Sequence, residues 1–248
     1  MLAKEKVLYH GHAIAAVAAT SEEALRAGLD AIEVEIDPLP LVLDLDDALA
    51  PGAPILHEGL RTKGRDDEGP TNVAAVTEFT RGDVDAALAE ADIVVERTFR
   101  TSTVHQGYIE PHAALARTNP DGQSILWCCT QGSFAVRSLC ATLLDLDVSQ
   151  IKVVPSEIGG GFGGKTTVYQ EPLAILLSRQ TGRPVKMVMT REEVFRATGP
   201  ASATRIDIAI GATREGRLTA GRVSMAYEAG GFPGSPAQAA AMTVLSPY

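Results

Sequence analysis

The residues best suited to chemistry lie in a glycine-rich stretch of this 248-residue chain. Five of the six positions from 159 to 164 are glycine, the sixth is Phe162, and Lys165 and Thr166 follow. Glycine lets a backbone approach a ligand closely, at an entropic cost in folding. We therefore expect the bare N–H groups of this glycine loop (residues 159–164) to face an anion or a cofactor.

The elements on either side of the loop support that expectation. Residues 151–154 have the pattern of a strand, and residues 169–179 have the apolar spacing of a helix. A loop between a strand and a helix is typical of an anion or cofactor site, because the helix N-terminus presents unpaired N–H groups and a partial positive charge.

Two nucleotide motifs match the same residues. Gly159 to Thr166 satisfy G-x-x-x-x-G-K-[ST], the P-loop, and Gly159, Gly161 and Gly164 satisfy G-x-G-x-x-G, the dinucleotide fingerprint. A P-loop protein also needs a strand that ends in Asp to hold magnesium, and the strand patterns at 185–189 and 205–210 lack it. The fingerprint needs an acidic residue about 20 positions further on, whereas the nearest candidates, Glu192 and Glu193, lie farther away.

Composition and charge exclude several classes of protein. The net charge of −9 argues against nucleic acid as a partner, and a hydrophobic content of 45% is that of a globular protein. No apolar run is long enough for a membrane span, and the start does not resemble a signal peptide, so we expect a cytoplasmic protein. We expect Cys128, Cys129 and Cys140 to be buried, reduced thiols; they cannot form a four-thiolate iron–sulfur site.

The periodicity predicts two regions. In the first, we expect a kinked strand over 7–19, a helix from a capping box at 20–23 to about 28, and a strand over 32–36. The second is predicted to contain helices and strands at these positions: helices over 83–91, 133–144 and 169–179, a short helix after the 190–193 capping box, strands over 93–100, 151–154 and 185–189, and hairpins of 113–117 with 124–127 and of 205–210 with 218–227.

A larger set of motifs, in the same order, resembles one family. The chain is similar to the molybdenum-binding large subunit of the xanthine dehydrogenase and aldehyde oxidase family. Two motifs contribute to the resemblance: Gly-Gly-Gly-Phe-Gly-Gly-Lys at 159–165 and Thr130-Gln131-Gly132. Further similar segments are residues 7–17, 39–40, 48–54, 105–112 (which contain Glu110-Pro111) and 190–193. The chain resembles a fragment of that subunit.

The resemblance implies a fold and a division into domains. The expected class is α+β: a partial α/β hammerhead, then the first part of a molybdenum-cofactor-binding domain with mixed sheets and flanking helices. The implied boundaries are 1–58 for the hammerhead part, 59–75 for a polar linker, and 76–248 for the N-terminal part of the molybdopterin-binding domain.

The resemblance also implies a site. The implied cofactor-binding residues are Gln131, Gly132, Gly160, Gly161, Phe162, Gly163 and Gly164. Gln131 would hydrogen-bond an oxygen ligand of molybdenum, and the Phe162 and Gly163 N–H groups would serve the apical oxygen and the dithiolene region. No catalytic residue is assigned, because the family's general base lies on chain beyond this sequence. We expect Gln131 and Phe162, although 31 positions apart, to lie over one cavity.

The implied activity is hydroxylation of aldehydes or N-heterocycles with water as the oxygen source. The implied cofactor is molybdopterin, and its cytosine dinucleotide form is one of the forms expected. The implied partners are an iron–sulfur subunit with 2Fe-2S, a subunit with FAD, and the remainder of the large subunit. The full assembly is expected to be a dimer. The fragment alone is expected to be inactive. Thr166 departs from the purine branch, which has glutamate there.

Other interpretations stay open on sequence grounds. The chain could be a P-loop nucleotide-binding module or a non-catalytic scaffold remnant of the family. His10 and His12 could hold a metal, although no third ligand is near in sequence. Glu110 could be a structural carboxylate or act directly, and Lys165 could contact phosphate or lie in solvent.

Overall fold

The computed structural model describes residues 2–65 and 69–231. The chain forms two compact units that alternate along the sequence: Met1–Asp37 with His105–Ala201, and Pro38–Val104 with Ser202–Tyr248. The tail from 232 onward lies outside the described residues. Helices occur together with one mixed sheet and one antiparallel sheet, which confirms the α+β class. The family boundaries at 58 and 76 stay predictions.

The helices and strands have these bounds, numbered in chain order: α1 Glu22–Asp30, α2 Leu45–Leu49, α3 Val84–Ala89, β1 Ile93–Thr101, β2 Ala113–Thr118, β3 Ser124–Cys128, α4 Ser133–Leu144, β4 Ile151–Pro155, α5 Glu171–Thr181, β5 Val185–Val188, α6 Arg191–Ala197, β6 Thr204–Ala212 and β7 Leu218–Tyr227.

A four-stranded sheet organises the first unit. Its order is β4-β3-β2-β5, with β3 and β4 parallel and the other pairs antiparallel. One face packs on α4 and α5 around a core that includes Leu126, Val136, Cys140 and Ile175. The predicted hairpin between β2 and β3 is confirmed, and Gly122 turns it at φ 85°.

The helix boundaries of this unit follow local sequence signals. Helix α4 has its predicted bounds, and α5, predicted over 169–179, spans Glu171–Thr181 and ends at Gly182, which takes the left-handed conformation at φ 65°. Helix α6 begins with the predicted capping box, in which Thr190 and Glu193 exchange hydrogen bonds.

The strands predicted over 7–19 and 32–36 are wrong. Neither segment forms a strand within the described residues. Gly11, at φ 98°, turns the first segment so tightly against α6 that a Cβ there would collide with the backbone of Arg196. Alternating sequence specifies an extended chain but does not supply the neighbouring strand that a ladder requires. The helix between them forms as α1, capped by Ser21.

A three-stranded sheet organises the second unit. Its order is β1-β6-β7, all antiparallel, and the predicted hairpin of β6 and β7 is confirmed. Helix α3, capped by Asp83, packs against β7 and β6, and its Leu88 lies close to Gly211. Every residue of β1 remains exposed.

The segments before α3 contain one feature that the sequence prediction missed. The short helix α2 begins after its N-cap Asp44, whose side chain accepts from the N–H of Asp47. An aspartate in this position was a visible helix-start signal in the sequence. In the segment predicted to be a linker, the Asn72 side chain accepts from the N–H of Leu56 and donates to the carbonyls of Ala48 and Pro54. Within the described ranges, no helix is long and apolar enough to cross a membrane.

Candidate functional site

Gln131 and the glycine loop lie against each other in the first unit. The Oε1 atom of Gln131 accepts from the N–H of Gly163 at 3.0 Å and from the N–H of Lys165 at 3.2 Å. The backbone N–H of Gln131 donates to the carbonyl of Lys165 at 3.0 Å. Gln131 therefore contacts the end of the loop, near the ends of strands β3 and β4, which run side by side. The expected cavity shared by Gln131 and Phe162 stays a prediction.

These bonds fix the orientation of the Gln131 amide. Two N–H donors converge on one end of the side chain, so that end is the oxygen and the other is the NH₂ group. Gln131 therefore presents a hydrogen-bond donor beside the loop. The Gly163 N–H, predicted to bind a cofactor directly, is occupied by Gln131 in this structure.

The middle of the loop presents unpaired backbone donors. The N–H groups of Gly160, Gly161 and Phe162 have no hydrogen-bond acceptor among the described residues. Gly160, Phe162 and Gly163 all have positive φ, at 93°, 49° and 88°. Successive N–H groups in a backbone of this conformation form concave anion-binding sites. The loop and the Gln131 amide together therefore offer hydrogen-bond donors to an anion or to a negatively charged oxygen.

An ion pair between a buried lysine and a partly exposed glutamate lies beside the loop. Lys165 Nζ donates to Glu110 Oε2 at 2.6 Å, and the same oxygen accepts from the N–H of Gly159 at 2.8 Å. The Lys165 side chain is 0% exposed and also lies 4.9 Å from the centroid of the Tyr108 ring. Burial acts to raise the pKa of Glu110, but the hydrogen bonds from Lys165 and Gly159 outweigh it and leave that pKa lowered.

The contacts of Glu110 favour its structural role, whereas those of Lys165 fit neither role considered for it. Glu110 is a carboxylate hydrogen-bonded to Gly159 and Lys165, on the two sides of the loop. Both roles considered for Lys165, a phosphate contact and a solvated charge, are wrong, because its ammonium group is enclosed between Glu110 and Tyr108.

A buried polar network continues behind the ion pair. The Tyr108 hydroxyl lies 2.8 Å from His112 Nε2 and 3.2 Å from the Thr198 hydroxyl. Burial, helped by the charge of Lys165, lowers the pKa of His112 to about 4, so this imidazole is neutral at pH 7. Arg191 donates to the backbone carbonyls of Tyr108 and Ile109 and ties α6 to the same segment.

Three loop glycines are required by close packing. An added Cβ at Gly161 would lie 2.5 Å from Gln131 Oε1, and one at Gly159 would lie 2.6 Å from the Glu110 Cβ. At Gly164 it would lie 2.7 Å from the Tyr108 ring. The density of glycine thus reflects contact with Glu110, Tyr108 and Gln131 as well as open donors.

The helix N-terminus after the loop is not an anion site. Helix α5 begins only at Glu171, and the Glu171 carboxylate accepts from the N–H of Tyr169 at 2.7 Å. Burial raises the pKa of Glu171, against the opposing effect of its backbone hydrogen bonds. The helix thus places its own carboxylate where a phosphate would bind in a P-loop.

The P-loop motif is therefore a coincidental match. A P-loop lysine must reach the β- and γ-phosphates, and Lys165 is buried and paired. The P-loop threonine must reach magnesium, whereas the Thr166 hydroxyl donates to the carbonyl of Gly163 at 2.9 Å.

The comparisons with known proteins match this geometry to one family. A family model described as the molybdopterin cofactor-binding domain matches residues 65–248. The chain belongs to the molybdopterin cofactor-binding domain family.

Relatives and solved structures agree with the assignment. The nicotinate dehydrogenase large molybdopterin subunit of Eubacterium barkeri is 33% identical over 250 residues, which is 100% of this chain and 56% of that protein. The xanthine dehydrogenase molybdenum-binding subunit of Escherichia coli is 30% identical over 213 residues, 86% of this chain and 27% of that protein. The aldehyde oxidoreductase of Desulfovibrio gigas superposes with a TM-score of 0.79 at 26% identity, covering 91% of this chain and 24% of that one.

The chain thus spans between about a quarter and somewhat over half of these relatives. Within a molybdopterin cofactor-binding domain, Gln131 and the glycine loop are the residues that the resemblance singled out, and the structure brings them together. Gly132, also in that set, lies at the N-cap of α4, and its carbonyl accepts from Val136 N–H.

Other candidate ligands do not assemble. Among the described residues, no group of three or more His, Cys, Asp or Glu side chains could hold a metal ion. His12 Nδ1 accepts from the N–H of Leu8. The three cysteines are buried and free, as predicted, and burial raises the pKa of Cys128 and of Cys140 to about 12.

Sequence reasoning missed the supporting residues of the site. Tyr108, His112 and Thr198 were not singled out, and Lys165 was assigned to the wrong environment. The available signal was the dense polar and aromatic content of 105–112, which lies beside the loop.

Proposed function

We propose that this chain is the part of a molybdenum hydroxylase large subunit that holds one side of molybdopterin. The glycine loop and Gln131 would contact the metal end of the cofactor. The observation that supports this most strongly is the set of donors at the site: three backbone N–H groups without an acceptor among the described residues, and one oriented amide NH₂. The Glu110 carboxylate and the carbonyls of Gly159 and Gly161 are engaged in hydrogen bonds to the protein.

Such a donor set suits the oxygen ligands of molybdenum. Preorganised N–H donors bind oxygen that carries negative charge at little reorganisation cost. A divalent cation would instead need oxygen ligands facing the space, and Glu110 is committed to Lys165 and Gly159. The residues present therefore fit molybdopterin.

Each residue of the chain has a distinct task in this proposal. Phe162 N–H would donate to an oxygen ligand of the metal, and Gly160 and Gly161 would let the pterin end approach the backbone. Gln131 would donate its NH₂ group to a second oxygen, while Gly163 and Lys165 N–H hold that side chain in place. When bound, molybdopterin supplies the redox chemistry of hydroxylating a carbon with oxygen from water.

The substrate class we propose is aldehydes or N-heterocycles. The names of the relatives include nicotinate dehydrogenase, aldehyde oxidoreductase and a xanthine dehydrogenase. Thr166 occupies the position where the purine branch of the resembled family has glutamate, and its hydroxyl turns back to Gly163. This position therefore offers no carboxylate to bind a purine, which favours aldehydes or N-heterocycles other than purines as substrates.

The remaining parts of the assembly are expected outside this chain. We propose that the general base lies on further chain of the large subunit, that 2Fe-2S and FAD are held by partner subunits, and that the cofactor has its cytosine dinucleotide form. The chain alone would then bind no electron acceptor and would be inactive. A cytoplasmic location and a dimer of the full assembly complete this proposal.

Metal and pterin content test the proposal. The full protein that contains this chain is expressed in a host that makes molybdopterin, and both are quantified after purification. We expect stoichiometric molybdenum and pterin, and a large loss with Gln131→Leu but not with Gln180→Leu, an equivalent change at an exposed position on α5. Magnesium-dependent ATP binding without molybdenum would contradict the proposal, and absence of both would favour the scaffold alternative.

A further inference from the structure

We propose that Glu110 and Lys165 are positioning residues, whose ion pair holds the glycine loop in the shape that receives the cofactor. This inference rests on the proposed function for the identity of the ligand. Its structural part, control of the loop's shape by the pair, concerns residues of this chain alone.

One carboxylate oxygen joins the two ends of the loop. Glu110 Oε2 accepts from the N–H of Gly159, at the first position of the loop, and from Nζ of Lys165, the residue directly after it. The Glu110 N–H also donates to the Gly159 carbonyl at 3.2 Å. The separation between the loop ends is therefore set by a side chain from a distant part of the sequence.

The same lysine connects the loop to Gln131. Its backbone N–H donates to Gln131 Oε1, and its carbonyl accepts from Gln131 N–H and from the Thr130 hydroxyl. Displacing Lys165 would therefore release the loop end and turn the Gln131 amide away from its observed orientation. Neither Glu110 nor Lys165 needs to touch the cofactor for this effect.

Glycine-rich backbone needs such external restraint. The five glycines have wide conformational freedom, and three consecutive N–H groups find no acceptor in the described protein. A buried ammonium group that loses its partner is strongly unfavourable, so the pair keeps Lys165, and with it the loop, in one place. The Tyr108 ring encloses the same ammonium group.

The inference predicts local loosening when the pair is broken. In the full protein freed of cofactor, Lys165→Met should speed amide hydrogen exchange of peptides covering 156–166 by about tenfold or more, the size expected for losing a net hydrogen bond. Exchange of the core strand β3 should not change. Glu110→Gln keeps an acceptor for Gly159 and Lys165 but loses the charge, so its effect should be smaller. Lys186→Met, the same change at an exposed lysine of β5, is the matched control.

A second measurement addresses the cofactor. In protein purified with its cofactor, pterin should dissociate faster from Lys165→Met than from the Lys186→Met control, and the double variant Glu110→Gln/Lys165→Met should resemble Lys165→Met alone. Loop exchange equal to the wild type, or loop and core exchange accelerated together, would overturn the positioning role. If Lys165→Met fails to fold, loop exchange in Glu110→Gln that equals the wild type would overturn the positioning role.

The two proposals fail separately. Wild-type protein without molybdenum or pterin would contradict the proposed function, whereas the exchange result in cofactor-free protein would still stand or fall on its own. Faster loop exchange with unchanged pterin dissociation would overturn the part of the inference that links the pair to the cofactor.

Discussion

The two sheets of this protein differ in how completely they are covered. In the four-stranded sheet, Ala116 and Leu126 are 0% exposed and lie under α4 and α5. In the three-stranded sheet, β1 is exposed along its whole length, with Phe99 at 55% and Val95 at 47%. The site residues, Gln131 and the glycine loop, belong to the unit with the covered sheet, where packing can hold a loop in one shape.

The difference shows how a site rich in glycine can be rigid. Glycine adds flexibility, and the loop is held by side chains that project from β-sheet ends and from the segment 105–112: Glu110, Tyr108 and Gln131. The three-stranded sheet has exposed ion pairs instead, such as Asp46 with Arg100 and Arg205. Exposed pairs contribute little to stability and are screened by salt.

The largest expected effect of this contrast is the loss of unfolding free energy when a buried side chain is truncated. Leu126→Ala, in β3, should lower the free energy of unfolding by about 2–5 kcal/mol, because it leaves a cavity in close-packed surroundings. Leu218→Ala, at a position in β7 that is 69% exposed, should change it by about 0.5 kcal/mol or less. Urea unfolding of both variants measures the difference, and equal losses would contradict the contrast between the sheets.

The next effect is a pH dependence that arises in the site's unit. The pKa of His112 is lowered from 6.5 to about 4 in the folded protein. The unfolded state therefore binds more protons between these values, so stability is full above about pH 6.5 and falls as the pH drops toward 4, by at most about 3 kcal/mol.

Chemical unfolding at a series of pH values tests this prediction. His112→Gln removes the titrating group and should flatten the dependence between pH 6.5 and 4, at the cost of lower stability at pH 7. A slope as steep in the variant as in the wild type would show that another group is responsible.

The smallest expected effect distinguishes two glycines with different surroundings. Gly161→Ala brings a Cβ to 2.5 Å from Gln131 Oε1, so the Gln131 amide must move, and we expect about 1–3 kcal/mol of destabilisation with loss of molybdenum. Among the described residues, a Cβ from Gly221→Ala in β7 meets nothing within 4 Å, and Gly221 has no positive φ, so we expect no loss or a gain of about 0.4–1 kcal/mol. Thermal unfolding and metal content together test the pair; full molybdenum retention in Gly161→Ala would contradict the proposed role of Gln131.

Local signals in the sequence predicted much of the fold. Helix α4 and the capping box of α6 were predicted where they occur, because their signals lie within a few residues. The strands predicted over 7–19 and 32–36 failed, because alternation says nothing about whether a partner strand is present. Gly11, which turns the first of these segments against α6, was visible in the sequence but its consequence was not.

The candidate site divides in the same way. Glycine density located the loop, and the resemblance brought in Gln131, whose contact with Gly163 spans 32 positions. Nothing local joins Glu110 to Lys165, which are 55 positions apart, and a lysine in a P-loop motif is ordinarily a phosphate ligand. Its burial is a property of the tertiary packing of Tyr108 and Glu110.

The most direct test of the central claim is the position of molybdenum in the protein. Crystals of the full protein purified with its cofactor would be measured at the molybdenum absorption edge for an anomalous difference map. We predict one strong peak in front of the glycine loop, beside the Gln131 amide and the Phe162 N–H, with the Glu110–Lys165 pair intact behind it. A peak elsewhere in the chain, or a fully loaded protein whose metal lies away from both Gln131 and Phe162, would contradict the account.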